Sequence, residues 1–120
     1  MNIYIAGAFA AQERLRAIRD SVEALGHHVT STWLDESDTD SASPQWDEYA
    51  LRDLMDIGYA TLLILDTADP DARGGREWEG GYAQGQGLPV WLVGPRRSVF
   101  HTLVTRQFKT WDAVLKGLAH

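Results

Sequence analysis

The stretch ATLLILD, residues 60 to 66, constrains the fold of this chain more than any other. Its apolar residues run on without alternation and stop after a few positions. Such a run is too short for an ordinary helix and fits a strand buried on both faces, as in the middle of a parallel sheet. Parallel strands require crossover connections, normally helices, so the rest of the chain must alternate between the two.

It does. NIYIAG at 2 to 7 has the form of a buried first strand. AQERLRAIRDSVEALG follows with Leu15, Ile18, Val22 and Leu25 at helical spacing and Gly26 as the C-terminal cap. The β-branched HVTSTWL predicts a second strand at about 28 to 33. An acidic loop at 35 to 43 leads to Ser43-Pro44 as a helix start, and Leu51, Leu54, Met55 and Gly58 are the expected inward face of that helix. After the central strand come the turn-rich TADPDARGG, a short glycine-rich helix, a strand in LPVWLVG and a short strand in VTRQF. Thr110 caps a last helix with Trp111, Val114, Leu115 and Leu118 facing in. The expected architecture is one domain over residues 1–120, a three-layer α/β sandwich with a mainly parallel five-stranded sheet.

In such sheets ligands bind beyond the carboxyl ends of the strands, which directs attention to Gly7 to Gln12, Trp33 to Trp46, Asp66 to Glu79 and Gly94 to His101. The densest part is GGREWEGGYAQGQG, with six of the chain's eleven glycines at 74 to 87. Glycines at a strand–loop–helix junction let backbone approach a ligand. A carboxylate in a first helical turn is stabilised as the anion, which suits a nucleophile; the same pattern also arises from surface glutamates that complement the helix dipole. Glu77 and Glu79 are two positions apart and point to different sides, Glu79 inward and Glu77 to the surface. Asp53 borders an apolar face and can point into a cleft, whereas Asp56 is expected on a solvated face. Arg96 and Arg97, after Gly94-Pro95, either meet a phosphate or form an ordinary surface arginine pair.

Other chemistries lack their residues. There is no cysteine, the histidines have no metal-ligand spacing, and no cofactor is called for. The first strand is followed by a single glycine, unlike a dinucleotide fingerprint, and neither a phosphate loop nor a Gly-x-Ser-x-Gly turn occurs. A net charge of −6 argues against nucleic-acid polymers and membrane surfaces. A cytoplasmic setting is the expectation.

YIAGAF at 4 to 9, RDLMDIGYATLLILD at 52 to 66 and RGGREWEGGYAQGQGLPVWLVG at 73 to 94 resemble the nucleoside 2-deoxyribosyltransferase family, with the short bacterial and phage-type members nearest. The resemblance implies a flavodoxin/Rossmann-like fold. It implies Glu79, within EGGYA, as nucleophile and Asp53 as the group that assists at the base. Tyr4, Gly7 and Phe9 would line the sugar pocket, and Trp46 or Tyr49 would stack on the base. Two positions depart from the family. Ala8 stands where proline is usual, and the aspartate that grips the sugar's 5′ end falls on Arg73. Either Asp71 takes over that task, or Arg73 or Arg76, beside Gly75, binds a 5′-phosphate.

By that resemblance the substrate is a nucleoside or nucleotide whose N-glycosidic bond is cleaved through a covalent glycosyl-Glu79 intermediate. The sugar then passes to another base or to water. The family also implies a homodimer or higher homo-oligomer, with VFHTL at 99 to 103 and His101 reaching into a neighbouring site. A non-catalytic nucleotide-binding or signalling module of the same fold is the alternative.

Overall fold

The computed structural model describes residues 1–36, 46–70, 72 and 74–119. Asp71, Arg73 and the Ser43-Pro44 helix start lie outside the described residues. The strands are β1 (Asn2–Ala6), β2 (His28–Val29), β3 (Leu62–Asp66), β4 (Val90–Val93) and β5 (Arg106–Phe108). The α-helices are α1 (Gln12–Ala24), α2 (Trp46–Gly58), α3 (Gly75–Gly85) and α4 (Trp111–Leu118). All strand pairs are parallel, in the order β2-β1-β3-β4-β5. That is the flavodoxin-like order, which reverses direction between β1 and β3.

ATLLILD occupies the centre. Every residue of β3 is buried, with β1 on one side and β4 on the other. Helices α1 and α4 pack together on one face of the sheet, and α2 and α3 on the other, which gives the three layers. Leu15 and Val22 of α1, and Trp111, Val114 and Leu118 of α4, enter the core. Thr110 caps α4 by accepting from the Ala113 amide at 3.2 Å. None of the described helices is long and apolar enough to cross a membrane.

Two expectations are corrected. The second strand stops at Val29, and the chain turns into a 3₁₀ helix over Thr32–Asp35. Side chains take the place of the missing ladder. Ser31 Oγ accepts from the Ile5 amide at 2.6 Å, and the Trp33 indole donates to the Ile5 carbonyl at 2.8 Å. Helix α2 is also rotated from the apolar face the sequence suggested. Leu51 and Met55 are 62% and 59% exposed, whereas Asp56 and Ile57 are buried. The Asp56 carboxylate accepts from the Thr32 amide at 3.1 Å and the Thr32 hydroxyl at 2.5 Å. Thr30 donates its hydroxyl to the Asp56 carbonyl at 2.9 Å. These polar anchors turn the Asp53/Asp56 side of the helix inward.

Candidate active site

Side chains alternate along β1, so Tyr4 points to the α2/α3 face of the sheet. Its phenol is fully buried, and its hydroxyl donates to Glu79 Oε2 on α3. The Glu79 carboxyl in turn hydrogen-bonds the Asp53 carboxyl on α2, a contact that needs a proton between them. While both are ionised, no donor reaches the buried Asp53 Oδ1. Three elements separated along the chain thus bring a phenol and two carboxyls together beside β1 and β3, where the strand order reverses.

Burial is the main reason that the Glu79 carboxyl is pushed up from 4.5 to about 8. The Tyr4 hydroxyl works against this by stabilising the anion, while the Asp53 and Asp56 charges reinforce it. Asp53 is pushed from 3.8 to about 7, first by burial and then by repulsion from Glu36 and Asp56. Tyr4 is raised well above 10, by burial and by the Glu79 charge. The pair therefore holds a proton near neutrality, as two crowded carboxylates do. Helix position does not make Glu79 a stabilised anion as the sequence suggested, since it lies past the first turn, and Glu77 occupies that turn.

Glu77 is no free surface residue either. It bonds the Arg76 Nε at 2.8 Å and the His101 Nε2 at 3.0 Å. Since His101 Nδ1 accepts from the Arg97 amide at 2.9 Å, a neutral His101 carries its proton on Nε2 and donates it to Glu77. Arg76 and His101 are 4% and 1% exposed. Arg76 also donates to the Asp69 and Asp66 carbonyls, at 2.7 and 3.4 Å, so its guanidinium fastens the β3–α3 loop. Arg97 does similar work on the carbonyls of Thr67 and Ala68, while Arg96 is exposed. His101 is bound inside its own chain at both ring nitrogens.

Among the remaining expected contacts, Gly7 answers first to packing. A Cβ there would lie 2.7 Å from Leu15 Cδ1, so glycine is what lets α1 approach β1. Phe9 is half-exposed, 6.1 Å from the Trp33 ring. Trp46 is exposed at the start of α2, and Tyr49 carries the Arg52 guanidinium 5.7 Å from its ring centre. Gly74 takes a left-handed φ of 95° at the α3 N-cap, and a Cβ on Gly75 would meet nothing within 4 Å. The glycines thus leave the α3 N-terminus uncovered.

Three acidic groups have roles that the sequence did not assign: Asp66 and Glu36, which fall in the shortlisted segments, and Asp56, which is buried and not on a solvated face. Asp66 ends β3 and is held by both terminal nitrogens of Arg14 at 2.8 and 3.0 Å, by the Trp111 indole at 2.7 Å and by the Ala68 amide at 3.0 Å. Burial raises its carboxyl, but these donors outweigh burial and hold it below the usual range. Asp56 and Glu36 complete the acidic surroundings of the pair. The one-turn spacing of Asp53 and Asp56 on a helix was the available signal for Asp56. A groove of about 520 Å³ lies along α3, lined by Leu65, Trp78, Tyr82, Val90, Phe100 and Val104, with Glu77 and His101 among its polar residues.

The fold and site define an α/β sandwich of flavodoxin-like order with a half-buried carboxyl pair at the strand-order reversal. Solved structures share this fold. A 2-deoxyribosyltransferase from Bacillus psychrosaccharolyticus is 24% identical with a TM-score of 0.71, covering 96% of this chain and 90% of that one. A conserved protein from Enterococcus faecalis V583 is 16% identical with a TM-score of 0.78, covering 98% and 96%. A CMP N-glycosidase from Clostridium botulinum is 20% identical with a TM-score of 0.65, covering 98% of each chain. No protein-family model and no curated protein sequence matches the chain.

Proposed function

We propose that this chain is an enzyme that cleaves the N-glycosidic bond of a (deoxy)nucleoside or its 5′-monophosphate and passes the sugar to another base or to water. The observation that carries this reading is the Asp53–Glu79 pair with the Tyr4 hydroxyl on Glu79. Two of the structural neighbours support it, being a 2-deoxyribosyltransferase and a CMP N-glycosidase.

Glu79 attacks C1′ as a carboxylate. The bond to the base breaks, and its electron pair leaves with the base, which takes a proton from Asp53. In the resting site the pair shares one proton. The reactive form has the proton on Asp53, and the Tyr4 hydroxyl favours that form by stabilising the Glu79 anion. The glycosyl-Glu79 ester is then opened at C1′ by a second base or by water. Phe9, Trp46 and Tyr49 offer rings for the base, and Gly7 and Gly75 flank the sugar. Asp71 or Arg73 is proposed for the sugar's 5′ end.

The enzyme works as a homo-oligomer in the cytoplasm. Exposed Leu51, Met55 and Tyr59 on α2, and Trp78, Phe100 and Leu103 beside the groove, supply the apolar contact area.

A panel of deoxynucleosides, ribonucleosides and their 5′-monophosphates, each with and without a free acceptor base, tests the reading. Release of base alone marks a hydrolase, and a new nucleoside marks a transferase. Binding without turnover across the panel would replace the enzyme with a nucleotide-binding module.

A further inference from the structure

Three charged groups and a phenol act on the Asp53–Glu79 pair: Tyr4 from β1, Glu36 after the 3₁₀ turn, and Arg52 and Asp56 on α2. Glu36 and Arg52 pair at 3.1 Å, yet the Glu36 charge acts on Asp53 more strongly than the Arg52 charge does. Asp56 is different. Among the described residues its carboxylate bonds only Thr32, through one amide and one hydroxyl, both neutral donors. Two donors on one oxygen suit an anion but bring no opposing charge. Asp56 is buried, and it sits one turn from Asp53 on the same helix. In a site of low polarity, an uncancelled charge at that distance acts strongly on its neighbours.

We propose that Asp56 is a positioning residue for charge: a buried anion, fixed by Thr32, whose repulsion adds to burial and to the Glu36 charge in keeping one proton on the Asp53–Glu79 pair. The mechanism above needs one acid and one base from the pair, and a singly protonated pair supplies both. The proton count is a property of the folded chain, whereas its catalytic meaning rests on the proposed glycosidic cleavage.

The test is carbon-13 carboxyl NMR across pH on the full chain, wild type against Asp56→Asn, which keeps the shape and removes the charge. The expected result is that both titration steps of the Asp53–Glu79 pair move to lower pH by about half a unit or more. Unmoved steps overturn the proposal. Asp56→Ser removes the same charge with a smaller side chain and shifts the pair in the same direction. It serves as the deciding variant if Asp56→Asn does not fold, and steps that stay in place there equally overturn the proposal. These readings need no turnover, so they stand apart from the substrate panel. Where turnover is found, the pH–rate profile of Asp56→Asn moves down by the same interval as the titration, with KM little changed.

Discussion

Tyr4 and Glu79, 75 positions apart in the chain, meet through one hydrogen bond that joins the first strand to the third helix. The phenol stabilises a carboxylate that its surroundings otherwise keep protonated. A group that must ionise to attack is thus held close to the point of ionising.

Removing the nucleophile tests this directly. Glu79→Gln is expected to lose activity by about 10³-fold or more, with KM changed far less. Asp53→Asn is expected to lose about 10²- to 10⁴-fold, and less on nucleosides whose base leaves without help. Steady-state kinetics on good and poor leaving bases separates the two roles. A Glu79→Gln protein that retains most activity removes Glu79 from the mechanism.

Stability should also depend on pH in an uncommon direction. Glu79 is raised from 4.5 to about 8, and Asp53 from 3.8 to about 7, so between these limits the folded chain binds more protons than the unfolded one. Folding stability therefore falls as pH rises from about 4.5 to about 8. The total effect is on the order of a few kcal/mol. Urea denaturation at pH 5, 7 and 9 measures it, and Glu79→Gln flattens the dependence. A wild-type stability that climbs across this range would contradict the carboxyl pair's raised titration.

Asp66 acts in the opposite sense. Its donors lower its titration, so its contribution is present above the usual aspartate range and fades as pH falls below it. Arg14→Met leaves the buried carboxylate with two N–H donors and no cation, at a cost of about 2–4 kcal/mol at neutral pH. The deficit relative to wild type narrows in acid. A deficit independent of pH would show that the Arg14 side chain acts by packing alone.

How much of this was legible from the residues varies with the interaction that decides each element. Apolar continuity marked β3, and the periodicity of α1 and α4 marked their buried faces, because burial alone decides those elements. Pattern failed at α2, where Thr30 and Thr32 bind Asp56 and override the apolar stripe of Leu51 and Met55. Hydrogen bonds between distant residues leave no periodic trace. For the site, motif resemblance singled out Tyr4, Asp53 and Glu79, but it gave no role to Asp66 or Asp56, whose partners lie far away in the chain.

Gly7→Ala probes the packing of α1 on β1. The new methyl would press on Leu15 Cδ1, with an expected cost of about 1–3 kcal/mol. Shortening the opposing side chain with Leu15→Val should make the second substitution cheaper. Strict additivity in that double-mutant cycle would place the strain elsewhere.

The exposed apolar side chains of α2 and of the 99–103 turn predict a concentration-dependent assembly. Met55→Lys with Phe100→Glu is expected to shift wild-type oligomers to monomers in analytical ultracentrifugation while leaving the fold unchanged by circular dichroism. A wild-type protein that sediments as a monomer at micromolar concentration would remove the oligomer from the proposal.

The side chains that replace the end of β2 have a consequence for the chain's behaviour in a crowded solution. With the Ile5 amide taken by Ser31 and its carbonyl by Trp33, β1 offers no free backbone group at Ile5, where β2 has ended. A stray extended peptide arriving there finds nothing to template on, so this flank resists the stacking by which open sheets seed fibres.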